Sequence, residues 1–252
     1  MPFLIAGRLL AAATLALAAG PIAAGEVVVS AAASLGNAFK DIAKLYEAHY
    51  PSSKVNLNFA ASGVLLQQMA KGAPVDVFAS ADQETMDAAQ QQGLVNGAER
   101  HDFARNSLVL IVPSDGKVSL SKLDDLLLPQ VLRIAIGNPA SVPAGRYSRA
   151  ALSEAKLWPA VQAKAIYTQN VRQSLDYVAR GEVDAGFVYG TDAALMKGKV
   201  KLAFTVPLDA PISYPIAPTR DGAHAEEARR FVTYVRSPAA QAILAGYGFM
   251  AP

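Results

Sequence analysis

Four short segments of the 252-residue chain place hydroxyl groups or bare backbone amides after strand-like runs, and a further segment places a backbone amide at the start of a predicted helix. In the first, "VVVSAAASLGNAF", a β-branched run leads through three alanines to Ser34, where a helix is predicted to begin. Ligands of open α/β sheets lie beyond the carboxyl ends of the strands, so such segments can meet at one site. The other four are "AASGVL" with Ser62, "GNPASVPAGRY" with Ala144, "QNVRQSL" with Val171, and "YGTDA" with Tyr189.

These segments carry hydrogen-bond donors that suit an anion. The first four end at predicted helix N-termini, where up to four backbone N–H groups lack a partner. Ser34 and Ser62 stand where a helix cap is expected and add a hydroxyl each. Ala144 and Val171 can offer only backbone N–H groups, and Tyr189 offers a phenol. Helix N-termini directed into one cleft form an anion site without formal positive charge.

The residue types also limit which anion fits. The first four segments contain no Asp or Glu, so they offer no carboxylate to accept the proton of a phosphate. A carboxylate ligand usually requires an arginine clamp, and Arg146 and Arg172 are expected to point away from the amides that they follow. A fully deprotonated tetrahedral dianion therefore fits best. Taken singly, Ser34 is interpreted as a helix cap, Ser62 as a turn residue and Tyr189 as a partly buried core residue.

Signatures of catalysis are weak. The chain has no G-x-S-x-G elbow and no phosphate-binding loop of the G-x-x-x-x-G-K-[ST] type. Its three histidines, at positions 49, 101 and 224, are scattered without ligand spacing. Asp82 is interpreted as a helix cap and Asp76 as a loop-stabilising residue. We therefore expect no enzyme, and an exported serine hydrolase using Ser34 or Ser62 is the alternative from a different class.

Length and composition indicate one or two domains. Hydrophobic residues make up 52% and charged residues 17%, and the net charge of +2 shows no basic stripe, so we expect no nucleic-acid partner. The chain has no cysteine, which excludes disulfides, thiolate metal sites and a lipidated cysteine.

The N-terminal segment resembles an export signal. Arg8 precedes the apolar run Leu9–Ala19, and the small residues 23–25 precede Glu26. The run is shorter than the roughly 20 residues of a membrane-spanning helix. We therefore predict a signal peptide over residues 1–25, cleaved after Gly25, rather than a membrane anchor, the alternative interpretation.

The remaining chain alternates strand-like and helix-like segments, which predicts α/β architecture with mostly parallel sheets flanked by helices. Domain boundaries are predicted near 105–107 and within the proline-rich stretch 209–218, so the chain would cross twice between two lobes with a ligand cleft between them. The predicted strands are Glu26–Ser30, Val55–Phe59, Val75–Ala79, Leu108–Val112, Arg133–Ile136 and Ala185–Val188, with a further short strand inside 209–218.

Six stretches, spread in order over nearly all of the predicted mature chain, resemble the periplasmic molybdate-binding proteins of molybdate ABC transporters, which have the type II periplasmic-binding fold. They are "AAASLGNAFKDIA", "NFAASGVLLQQMAKGAPVDVFASAD", "RNSLVLIVP", "IAIGNPASVPAGRYSRAAL", "NVRQSLDYVARGEVDAGFVYGTDA" and "YVRSPAAQAILAGYGF". The resemblance implies a lobe of residues 26–104 with 213–252, and a second lobe of residues 105–212.

The resemblance also implies a function and a ligand set. A periplasmic monomer would capture molybdate, and also tungstate, and deliver the ion to an inner-membrane ABC permease. No cofactor is expected, and molybdenum would be bound only as its oxyanion. The family's donors fall on Ser34, Ser62 and Tyr189 through side chains, and on Ala144 and Val171 through backbone amides. A receptor for another tetrahedral oxyanion, such as sulfate, is the alternative within this class.

Overall fold

The computed structural model describes residues 25–252, so the predicted signal peptide lies outside the described residues except for Gly25. The described chain forms ten strands and nine α-helices. The strands are β1 (Gly25–Ala32), β2 (Ser53–Ala60), β3 (Val77–Ala79), β4 (His101–Asn106), β5 (Leu108–Pro113), β6 (Ile134–Gly137), β7 (Ala165–Thr168), β8 (Ala185–Tyr189), β9 (Val200–Thr205) and β10 (Ile212–Pro218).

Helices connect most of these strands, and short 3₁₀ turns cover Ala33–Leu35, Gly97–Glu99 and Leu123–Leu127. The α-helices are α1 (Gly36–His49), α2 (Ser62–Ala70), α3 (Gln83–Gln91), α4 (Pro143–Glu154), α5 (Trp158–Gln162), α6 (Val171–Ala179), α7 (Gly190–Leu195), α8 (Ala225–Val235) and α9 (Pro238–Gly246). Within residues 25–252, no helix has both the length and the apolar composition that crossing a bilayer requires.

The strands form two five-stranded sheets, in the orders β2-β1-β3-β10-β4 and β7-β6-β8-β5-β9. The α/β class is confirmed, but the expectation of mostly parallel sheets is wrong in detail. Each sheet contains two parallel and two antiparallel pairs. Every antiparallel pair involves β5 or β10, the strands that directly follow the two crossings between the sheets.

The two crossings lie close to their predicted positions. The chain changes sheet at Ser107, and returns between Thr205 and Ile212. The lobe boundaries predicted at 104/105 and 212/213 fall inside β4 and β10, because each of these strands continues to the crossing itself. The division into two lobes that move stays a prediction.

The core explains why these segments form strands and helices. Val27, Val29 and Ala31 of β1 are fully buried, and all six residues of β5 are buried, as expected for a central strand covered on both faces. Phe39 of α1 packs its ring against Phe103 of β4 and Phe231 of α8 on one face of the first sheet. Helices and loops cover the faces of the sheets, and this packing positions the loops at the carboxyl ends of the strands.

All six predicted strands are present with shifted ends, and β10 is the proline-bracketed strand. The sequence patterns missed β4, β7 and β9. β7 has only four residues, Ala165–Thr168, and Lys201 interrupts the apolar residues of β9, so neither has the long apolar run that predicts a buried strand.

Candidate functional site

All five residues predicted as a site line one small cavity between the carboxyl ends of the two sheets. Ser34, Ser62 and Ala81 follow β1, β2 and β3 of the first sheet, and Ala144 and Val171 follow β6 and β7 of the second. Tyr189 closes the cavity from the end of β8. The remaining lining residues are Ala32, Ala33, Ala61, Val142, Pro143 and Asn170.

The cavity is small and lacks charged side chains in its lining. The alanines at positions 32, 33, 61 and 81 keep the backbone accessible. The site therefore suits a single small ion and excludes a ligand with an extended carbon skeleton.

Ser62 presents its hydroxyl hydrogen to the cavity. It is the first residue of α2, and Ala61 rather than Ser62 stands at the cap position. Its Oγ accepts a hydrogen bond from the Ala81 amide at 3.0 Å. Among the described residues the hydroxyl hydrogen has no acceptor, so it is left for a ligand.

Ser34 also differs from its expected position. It lies inside the 3₁₀ turn Ala33–Leu35, and α1 begins only at Gly36 with no side-chain cap. The run of alanines continues β1 into this tight turn, which delays the helix start. The Ser34 Oγ lies 3.1 Å from the hydroxyl of Tyr214. The interpretation of Ser34 as a cap is therefore wrong, although its hydroxyl does reach the cavity lining.

Ala144 and Val171 place backbone amides at helix starts. Val171 is the first residue of α6, whose cap is the Asn170 side chain, with Oδ1 accepting from the Gln173 amide at 3.1 Å. Ala144 follows Pro143, which has no N–H group, so the Ala144 amide is the first donor of α4. Within the described part of the chain, neither amide has a protein acceptor, so both can donate to a ligand.

The hydroxyl of Tyr189 is the most informative atom of the site. It is buried, and it has no hydrogen-bond partner among the described residues. Burial raises the pKa of Tyr189 well above its usual value, so the phenol keeps its proton. A hydrogen-bond acceptor that reaches this proton would stabilise the buried hydroxyl. An unpaired buried hydroxyl costs about 1–3 kcal/mol. A ligand that accepts this hydrogen would recover that cost.

Arg172 does not line the cavity but joins the two sheets behind it. It projects from α6 of the second sheet, and its guanidinium donates to the Ser34 carbonyl at 2.9 Å and to Asn37 Oδ1 at 2.8 Å. Its Nε lies 2.6 Å from Oδ1 of the fully buried Asp192. All three partners are protein oxygens, so the charge of Arg172 is already compensated.

Arg146 forms a second bridge of the same kind. From α4 it donates to Asp82 Oδ2 at 2.8 Å and to Thr85 Oγ1 at 2.6 Å, both in the first half of the chain. Asp82 also caps α3 by accepting from the Thr85 amide at 3.2 Å, as predicted. Asp76 accepts from the Val28 and His224 amides, which confirms its loop-stabilising role. Sequence reasoning missed both bridges because their partners are far apart in the chain.

The Asp192 carboxyl makes stability depend on pH in a defined direction. Burial raises the pKa of Asp192 to about 6, against the opposing effect of Arg172. A group with a raised native pKa stabilises the fold at low pH, and this contribution is lost as the pH rises through about 6. We expect the free energy of unfolding of the wild type, relative to Asp192→Asn, to fall between about pH 4 and about pH 7. Denaturant titrations of both proteins measure this free-energy difference. A difference between wild type and Asp192→Asn that stays constant or grows with pH would contradict the burial argument.

Comparison with known proteins places this site in a family. The bacterial extracellular solute-binding protein family matches residues 27–250. The molybdate-binding protein ModA of Escherichia coli (strain K12) is 37% identical over 234 residues, which cover 89% of each chain. ModA of Haemophilus influenzae is 34% identical over 234 residues, which cover 91% of each chain.

A solved structure shares the fold. The periplasmic molybdate-binding protein of Azotobacter vinelandii superposes with a TM-score of 0.77 at 23% identity, over 90% of this chain and 99% of that chain. The chain belongs to the family of bacterial extracellular solute-binding proteins, and the molybdate-binding ModA proteins are among its relatives.

Proposed function

We propose that this protein binds molybdate, and also tungstate, in the cavity between the two sheets and delivers the ion to the permease of an ABC transporter. It acts as a periplasmic monomer exported by the predicted signal peptide, with no catalysis and no nucleic-acid partner. The observation that carries the proposal is the Tyr189 hydroxyl, which is buried, has no partner in the described part of the chain, and belongs to a residue lining a cavity with two helix-start amides and two serines. The names of the relatives give the ion.

The donor set accounts for affinity without a cation. A hydrogen bond to a charged group contributes about 1.5–3 kcal/mol. Three hydroxyls and the backbone amides of Ser34, Ser62, Ala144 and Val171 would together contribute a gross ~10–20 kcal/mol, from which ordering and lobe closure subtract several. The remainder suits capture of a scarce ion.

Ion size and protonation decide between the candidates. Sulfate has the charge and shape of molybdate but shorter bonds, so it would leave some donors unmet, and unmet buried donors are costly. Phosphate brings a proton that the cavity lining has no carboxylate to accept. For the serine hydrolase alternative, a histidine must contact Ser34 or Ser62, and none of the three histidines lines the cavity.

Titration calorimetry of the mature protein with molybdate, tungstate, sulfate and phosphate tests the proposal. We expect tight binding of the first two ions, weaker binding of sulfate and no measurable binding of phosphate. Preference for sulfate or phosphate would refute the ion assignment. Turnover of an ester that is lost on replacing either serine would favour the hydrolase instead.

At Gly63 the backbones of the two halves are in direct contact, and its replacement should hinder closure. Its amide donates to the Ser141 carbonyl at 3.0 Å, and an added Cβ would lie 2.7 Å from that oxygen and 2.9 Å from the Ser141 Cα. We expect Gly63→Ala to weaken molybdate binding at least about tenfold, since backbone must shift before the halves can meet. Calorimetry measures the loss. Gly246→Ala, where an added Cβ meets nothing within 4 Å, is the control, and equal affinities for the two variants would contradict the close-approach argument.

A further inference from the structure

A directed chain of hydrogen bonds begins at the first crossing between the sheets. The Oδ1 of Asn106, the last residue of β4, accepts from the backbone amide of Ser107 at 3.0 Å. A backbone N–H can only donate, so this contact fixes which end of the Asn106 side chain is oxygen. The amide nitrogen Nδ2 then faces the Thr191 Oγ1 at 2.9 Å and the Tyr214 hydroxyl at 3.2 Å.

The direction passes from Asn106 to Ser34. The Asn106 Nδ2 can only donate, so the Tyr214 oxygen accepts from it and the single Tyr214 hydrogen is left for the Ser34 Oγ at 3.1 Å. Ser34 therefore accepts from Tyr214, and its own hydrogen is left to point into the cavity. Asn106, Tyr214 and Ser34 are 5%, 0% and 2% exposed, so solvent does not compete for these groups.

The Ser62 hydroxyl also accepts a hydrogen bond from the protein, but from a different kind of donor. Its Oγ accepts from the Ala81 backbone amide, which again can only donate. Both serines thus have an acceptor position filled by the protein and a hydrogen left for the ligand. The Ala81 contact is made by backbone, whereas the Ser34 contact depends on side chains that can be replaced.

We propose that Asn106 and Tyr214 are positioning residues that hold the Ser34 hydroxyl as a hydrogen-bond donor, and that this orientation selects oxyanions that carry no proton. The inference rests on the proposed function and deepens it. An ion such as hydrogen arsenate brings a hydrogen that needs an acceptor, and a serine held as a donor does not supply one. Molybdate has four bare oxygens and uses every donor.

Tyr214→Phe tests the role of the last link. The Ser34 hydroxyl is then free to turn, so we expect molybdate affinity to fall at least about tenfold, while affinity for hydrogen arsenate is unchanged or rises. Tyr46→Phe is the matched control, because Tyr46 is equally buried in the first half and its hydroxyl donates to Glu227, away from the cavity. It is expected to lower the melting temperature without changing either affinity.

Asn106→Asp tests the direction of the chain. A carboxylate accepts where the amide donated, so Tyr214 would donate to position 106 and Ser34 would donate to Tyr214, leaving a Ser34 lone pair facing the ligand. At slightly alkaline pH, molybdate and hydrogen arsenate carry the same double negative charge, so the added charge cancels in the ratio of their affinities. We expect this ratio to fall further than in Tyr214→Phe.

Competition calorimetry of both ions against the wild type and the three variants separates the possible failures. A wild type that does not bind molybdate refutes the proposed function. A wild type that binds molybdate, with the affinity ratio unchanged in both Tyr214→Phe and Asn106→Asp, refutes the positioning role alone.

Discussion

Replacing Tyr189 by phenylalanine is expected to weaken molybdate binding and, at the same time, to raise the melting temperature of the ligand-free protein. The hydroxyl is buried and has no partner within residues 25–252, so its removal relieves a cost of about 1–3 kcal/mol. In the complex the same hydroxyl donates to a charged oxygen, a contact of about 1.5–3 kcal/mol. Affinity should therefore fall about tenfold to hundredfold.

The opposite signs of these two effects distinguish a ligand contact from general damage to the fold. Calorimetry gives the affinity, and thermal unfolding without ligand gives the stability. The Tyr46→Phe control removes a buried hydroxyl that does have a partner, so it should lower stability and leave affinity unchanged. A Tyr189→Phe protein that binds molybdate as tightly as the wild type would remove Tyr189 from the site.

Replacing Arg172 by methionine is expected to damage both stability and binding. The change leaves Asp192, which is fully buried, without its cation, and breaking such a pair costs about 3 kcal/mol or more. It also removes the bridge to the Ser34 carbonyl and leaves a negative charge near an anion site. The loss of stability should be greatest at alkaline pH, because Asp192 is then ionised, whereas a protonated Asp192 needs no cation beside it.

A second substitution separates the charge from the bridge. Adding Asp192→Asn to Arg172→Met removes the unpaired charge, so the double variant should recover much of the stability and part of the molybdate affinity. The affinity that the double variant still lacks relative to the wild type measures the effect of losing the contacts of Arg172 to Ser34 and Asn37. Denaturant unfolding and calorimetry of the two single variants and the double variant complete the cycle. A double variant no better than Arg172→Met would show that the Asp192 charge is not the cause.

Local sequence patterns predicted the parts of the fold that depend on local chemistry. The "VVV" run of β1 and the apolar run of β5 form strands because β-branched and apolar residues suit strands that other elements cover. By contrast, β4 carries the polar sequence "HDFARN" and pairs with β10, more than a hundred residues later. Its strand conformation comes from that distant partner, so no local pattern reveals it.

The candidate site shows the same division. Ser34, Ser62, Ala144 and Tyr189 could be proposed because they follow predicted strands, and ligands of α/β sheets lie beyond the carboxyl ends of the strands. Val171 could be proposed because it opens a predicted helix, although the strand before it, β7, was missed. The partners behind them could not be proposed. Tyr214 lies 180 residues from Ser34, and Arg146 lies 64 residues from Asp82, so these contacts exist only in the folded chain.

A crystal structure of the protein with molybdate tests the central claim most directly, namely that neutral donors alone hold the dianion. The predicted result is an ion in the cavity between the sheets, with its oxygens in contact with the hydroxyls of Ser34, Ser62 and Tyr189 and the amides of Ala144 and Val171. In that complex, Arg146 and Arg172 keep their carboxylate partners. An ion gripped by either guanidinium, or bound anywhere else on the molecule, would contradict the account.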